Sequence, residues 1–178
     1  MTDGSVPAEA TQREIDFIVE SWAEACRRAK AAGFDATELH AAHGYLLGSF
    51  LSPATNKRTD GYGGSPEKRA RFACEIISGI RNKVGKDFAI SIRFSGCDYL
   101  RDGITLEDSL RQAPLFVEAG ADALHVSASA PESLQYQFLP YLLPDGMIVY
   151  LAEAIKRVVN VPVITVGKLG NPMDKAVK

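Results

Sequence analysis

The chain has 178 residues, 46% of them apolar and 24% charged, and a formal net charge of −2. That is ordinary globular composition, long enough for one domain with a sizeable core, and its interspersed charges make neither a nucleic-acid nor a membrane surface. No apolar run approaches the ~20 residues that a bilayer requires.

Met1-Thr-Asp-Gly-Ser5 lacks the basic segment and apolar core of a signal peptide. Three widely spaced cysteines, Cys26, Cys74 and Cys97, argue for a reducing compartment and against a disulfide framework. The expected location is the cytoplasm.

Residues 1–10 read as a leader, and 11–178 as one domain. Thr11 and Glu14 form a capping box. The helix that follows carries Ile15, Ile18, Val19, Trp22, Ala25, Cys26 and Ala29 on one face. It stops at Gly33, and Phe34 to Leu39 reads as a short buried strand. Ser65 caps the next helix, with Pro66 in its first position and Phe72, Ala73, Ile76, Ile77, Ile80 and Val84 as its stripe. Phe88 to Phe94 is a second strand. Thr105 opens a third helix, which ends at Gly120; Pro114 inside it predicts a kink or an early break.

Ala121 to Ser127 is a third strand. Asp145 is the expected cap of a helix carrying Met147, Ile148, Leu151, Ile155 and Val158. Val161 to Val166 is a fourth strand, with Pro162 tolerated near its start. A last helix is expected after Pro172. Residues 32–40 and 119–126 echo each other as helix end, glycine, aspartate, strand. Strands alternating with helices mean parallel crossovers, which suit a barrel and a doubly wound sheet alike.

Chemistry-bearing side chains cluster in one stretch, Glu38-Leu-His-Ala-Ala-His-Gly-Tyr45. His40, His43 and Tyr45 fall at the end of the first strand, where an α/β barrel carries its active site. His-x-x-His is also a metal pair, but the motif positions no third ligand, so no metal is expected. The polar run Asn56-Lys-Arg-Thr-Asp-Gly-Tyr-Gly-Gly-Ser65 reads as a structural loop pinned by Arg58 and Asp60.

Glu38 to Leu47, Phe50-Leu-Ser-Pro53, Asn56 to Ser65 and Arg69-Ala-Arg-Phe72 together closely resemble the Old Yellow Enzyme family of NAD(P)H:flavin oxidoreductases, which includes ene-reductases and dienoyl-CoA reductase-like proteins. The likeness continues more weakly across the chain. It implies part of a (β/α)8 TIM barrel, about four parallel strands with flanking helices, corresponding to the family's strands four to seven. A full barrel takes roughly 250 residues.

The resemblance also implies FMN as cofactor, with NADH or NADPH as reductant. The reaction would pass hydride to an α,β-unsaturated carbonyl compound, with a small activated alkene as the binding partner. His40 and His43 match the family's substrate donors and Tyr45 its proton donor; a phenol serves as a general acid. Arg93 matches the arginine beside the flavin, and Gly167 and Lys168 match the turn that holds its phosphate. The histidine that follows the sixth strand in dienoyl-CoA reductases has no counterpart in Ser127-Ala-Ser-Ala-Pro-Glu-Ser133. The alternative is a truncated, catalytically inactive barrel fragment that pairs through open sheet edges, as a homo-oligomer or with another chain.

Overall fold

The computed structural model describes residues 8–170. Residues 1–7 of the expected leader, and the helix expected after Pro172, lie outside them. Helix α1 (Gln12–Ala31) begins with the capping box between Thr11 and Glu14. It ends in a Schellman motif: Gly33 donates to Lys30 O at 3.0 Å, and Phe34 to Ala29 O at 3.2 Å. Gly33 takes φ +92°, which only glycine adopts freely. Phe34 thus belongs to the helix end and is 66% exposed. Strand β1 starts two residues later than expected and runs from Ala36 to Ala41.

The echo at residue 120 has the same cause. Helix α4 (Leu106–Glu118) closes with Gly120 donating to Val117 O at 3.0 Å and Ala121 to Phe116 O at 3.0 Å. That consumes Ala121, and β3 runs only from Ala123 to Ser127. The expected break at Pro114 does not occur: α4 continues through it, with buried Ala113 and Phe116 on either side of the proline holding the helix against its neighbours.

Three further elements have expected counterparts. These are α3 (Pro66–Val84), capped by Ser65; β2 (Ala89–Ser95); and β4 (Val163–Thr165), shorter than expected, whose preceding Pro162 still accepts from Leu124 at 3.0 Å. Helix α5 (Val149–Lys156) has Ile148 rather than Asp145 at its cap position. Two elements are new: α2 (Leu46–Leu51) and a 3-10 segment, Pro131–Tyr136.

The sheet order is β1-β2-β3-β4, parallel throughout. Each crossover returns to the adjacent strand. A doubly wound sheet reverses its order at a switch point; this one does not, so it is the partial barrel. On the helix-facing side, Leu39, Ala41, Ile90, Ile92, Phe94, Leu124 and Val126 are buried against α3, α4 and α5. The opposite side carries a row set by register: His40 pairs Arg93, Arg93 pairs His125, and His125 pairs Ile164. No helix among the described residues is long and apolar enough to cross a membrane.

The loop between α2 and α3 is held by buried polar groups. Asn56 Nδ2 donates to Phe50 O (2.6 Å) and Tyr62 O (2.7 Å). Arg58 pairs with Asp60 and donates to Ala10 O at 2.8 Å. Arg69 is buried and ties three elements together. It donates to Leu51 O at 2.8 Å, to Gly64 O, and to Asp108 at 2.7 Å. Asp108 is also the capping carboxylate of α4. Replacing Arg69 by Met strands two carbonyls and a half-buried carboxylate. The expected cost is about 3–5 kcal/mol, read as a lower urea midpoint at unchanged m-value.

Candidate active site

His40 is the fifth residue of β1 and projects from the helix-free side of the sheet, in register with Arg93. The strand ends at Ala41, and His43 follows in the left-handed region at φ +60°. A histidine there carries backbone strain of about 1–2 kcal/mol, the kind of cost concentrated at functional sites. The turn closes as Tyr45 N donates to Ala42 O at 3.3 Å, and Tyr45 becomes the residue before α2. The His40 ring centroid lies 5.1 Å from that of His43 and 5.2 Å from that of Tyr45. Tyr45 is 64% exposed, while His43 is only 7% exposed.

The backbone N–H and both ring nitrogens of His43 face polar partners. Its backbone N–H faces Ser95 Oγ at 3.5 Å, Nε2 lies 2.8 Å from Ser127 Oγ, and Nδ1 lies 3.3 Å from Gln137 Nε2. His40 differs: its ring nitrogens take no hydrogen bond from any described residue, so its N–H is free for a ligand.

Arg93 donates through Nη2 to Ser127 Oγ at 3.4 Å, whereas its Nε is buried and unpartnered. His125 turns Nδ1 to the Glu38 carboxylate, 2.9 Å and 3.1 Å from its two oxygens, and Ser91 Oγ donates to the same carboxylate at 3.0 Å. His125 Nε2 is likewise buried without a partner.

Burial, and then the adjacent Arg93 charge, lower both imidazoles; His43 falls to about 4. Both rings are neutral at pH 7. A neutral imidazole donates one hydrogen bond and accepts another, which suits binding an uncharged oxygen rather than an anion.

The sequence-derived residues thus separate into two groups. His40, His43, Tyr45 and Arg93 come together at the C-terminal ends of β1 and β2. Gly167 and Lys168 form the turn after β4, with φ of +99° and +43°. The Lys168 ammonium donates to Pro140 O (3.0 Å), Tyr141 O (2.7 Å) and Leu143 O. No hydrogen bond or ion pair joins this turn to the histidine group among the described residues. Ser127, Gln137 and the Glu38–His125 pair were not anticipated. The two-residue strand period relates His125 to His40 through their shared register row, but nothing in the sequence marks Gln137.

The family described as NADH:flavin oxidoreductase / NADH oxidase matches residues 2–178. An NADH oxidase of Thermoanaerobacter brockii is 50% identical over 169 residues, covering 95% of this chain and 26% of that protein. An NADPH dehydrogenase of Geobacillus thermodenitrificans is 40% identical over 161 residues, covering 90% of the chain and 45% of the relative. The solved complex of 2-naphthoyl-CoA reductase with 2-naphthoyl-CoA superposes with a TM-score of 0.87 at 33% identity, covering 95% of this chain and 26% of that one.

The chain belongs to the NADH:flavin oxidoreductase / NADH oxidase family, the Old Yellow Enzyme type that residues 38–72 resemble. It spans between a quarter and a half of the length of these relatives. The family's cofactors are FMN and NADH or NADPH. The site fits a flavin at one clear point: the buried Arg93 Nε–H has no protein acceptor. Such an orphan donor costs about 1–3 kcal/mol until an acceptor meets it, and a guanidinium edge matches a planar heterocycle with adjacent acceptors.

The lowered His43 has a stability consequence. The unfolded ring takes up its proton near pH 6.5 and the folded one near 4. The unfolded chain therefore binds more protons across that window, and stability falls as pH drops through it. The His43 C2 proton shift is expected to stay flat from pH 8 to 5 and move near 4. A midpoint at 6.5 would contradict the burial argument.

Proposed function

We propose that the chain carries the substrate-activating face of a flavin-dependent oxidoreductase that reduces α,β-unsaturated carbonyl compounds. One observation carries this reading: the rings of His43 and Tyr45 lie 5.1 Å and 5.2 Å from that of His40, which is in register with Arg93, at the strand ends. When bound there, FMN would supply hydride taken from NADH or NADPH.

The residues of the chain do the rest. Arg93, whose buried Nε–H has no protein partner, would hold the cofactor through that donor. His40, neutral and free of protein partners, donates to the carbonyl oxygen of the alkene. Hydride arriving at the far carbon pushes negative charge onto that oxygen. The His40 N–H therefore bonds more strongly in the transition state than in the ground state, which is what lowers a barrier. One such donor is worth about 3–4 kcal/mol in comparable sites. Tyr45, exposed at the mouth and in contact with His40, gives its phenolic proton to the other alkene carbon. The similar 2-naphthoyl-CoA reductase supports the substrate class, since its ligand is a thioester conjugated to an unsaturated ring.

A second reading has its own observation. Among the described residues the sheet ends in unpaired edges at β1 and β4, and Ile164 is exposed on its helix-free side. Such edges pair with another chain, and on this reading the four strands act as a binding unit without catalysis. A monomer on size-exclusion chromatography at tens of micromolar would count against it.

In the flavin-loaded protein, His40→Ala is expected to lower kcat/KM for an enone about 10²–10³-fold. Tyr45→Phe should lower the same quantity about 10²–10⁴-fold. Both should leave flavin reduction by the nicotinamide intact. Unchanged alkene turnover in both variants would sink the assignment.

A further inference from the structure

The two partners of the His43 ring differ in what they can offer. Nδ1 faces the amide nitrogen of Gln137 at 3.3 Å, and Nε2 faces the Ser127 hydroxyl at 2.8 Å. An amide NH₂ has protons and no acceptor capacity, so it meets Nδ1 only where Nδ1 is bare. The single proton of the neutral ring then sits on Nε2 and points to Ser127. The Ser127 oxygen also receives Arg93 Nη2 at 3.4 Å. With both acceptor positions filled, the hydroxyl keeps its own proton to donate.

Gln137 is held where it can act this way. Its backbone N–H donates to Leu134 O at 3.0 Å. Within the 3-10 segment, Ser133 Oγ accepts from Ala130 N at 2.9 Å and donates to the Asp98 carbonyl. Tyr136 stacks on Tyr99 with centroids 4.1 Å apart. Pro131 sits so close to Gly44, the residue after His43, that a Cβ there would lie 2.5 Å from the proline Cδ. The segment and the histidine turn therefore pack as one piece.

We propose that Gln137 is a positioning residue that fixes His43 as the Nε2–H tautomer. With its oxygen filled by the His43 Nε2–H and Arg93 Nη2, the Ser127 hydroxyl at the end of β3 then presents its own proton on the side of the sheet that carries His40 and Arg93. A ligand bringing an acceptor, such as a carbonyl oxygen, is favoured there, and one bringing a donor is rejected. That consequence rests on the reduction proposed above; the tautomer itself is a property of the chain and needs neither flavin nor alkene to be measured.

The test is long-range ¹H–¹⁵N correlation on histidine-labelled chain at neutral pH, with only three histidines to resolve. The expected result is a protonated Nε2 and a bare Nδ1 for His43. In Gln137→Glu the carboxylate only accepts, so a proton should appear on Nδ1. In Gln137→Ala both ring-nitrogen signals should shift toward a mixture of tautomers. Signals of His40 and His125 should hold in both variants.

A proton on Nδ1 in the unsubstituted chain overturns the proposal, and this reading stands even if a variant fails to fold. So does an unchanged Nε2–H signal in a folded Gln137→Glu. A His43 protonated at Nε2 in a flavin-loaded protein that reduces no enone would count for the tautomer and against the reduction.

Discussion

The phase of the parallel strands governs the rest of the structure. Side chains alternate across a sheet with a period of two, so a slip of one residue exchanges the two faces. In the observed register His40, Arg93 and His125 share one cross-strand row, while Leu39, Ile92 and Leu124 share the row packed under the helices. A one-residue shift in β1 would bury the His40 imidazole among isoleucines and bring Leu39 to the site. The phase is set where each helix stops. The paired Schellman endings at Gly33 and Gly120 each absorb one residue beyond the glycine and start the following strand at a fixed offset.

Stability and chemistry occupy opposite faces of the same four strands. The helix-facing side is apolar and closely buried, with Phe94 and Phe116 edge to face at 5.3 Å. The other side concentrates polar groups that the protein leaves partly unsatisfied. Arg93 Nε and His125 Nε2 are both buried and unpartnered. Buried orphan polar atoms are rare, and each calls for an explanation. Two of them stand in adjacent positions of one cross-strand row, and this is the observation on which the proposed flavin contact rests. His40, neutral and uncommitted, and His43, neutral and committed at both nitrogens, divide the work there: one is presented outward and the other organises Ser127 behind it.

Much of this was legible in the sequence because local chemistry decided it. The capping box at Thr11, the helix start at Thr105, the Ser65-Pro66 start and the glycine stops all appear as read. Strand starts came out two residues early at β1 and β3, because the hydrophobic pattern does not reveal that Phe34 and Ala121 are spent on helix endings. Pro114 predicts a kink or an early break; no break occurs, because the buried Ala113 and Phe116 on either side hold the helix in place. Helix α2 was missed because six residues hold too little periodicity. His40, His43 and Tyr45 stand out as a contiguous motif at a strand end, whereas Arg93 is implied only by the family resemblance. Gln137 arrives from a loop 94 residues away from His43, and only the folded chain brings the two together.

The central claim is that the Arg93 face receives the flavin. Its most direct test is a titration of FMN fluorescence with the purified chain and with its Arg93→Met variant. Saturable quenching by the chain, weakened at least about tenfold in the variant, as expected for loss of a charge-assisted hydrogen bond of about 1.5–3 kcal/mol, is the predicted result. Identical titrations for the two proteins, or no quenching by either, would contradict the claim.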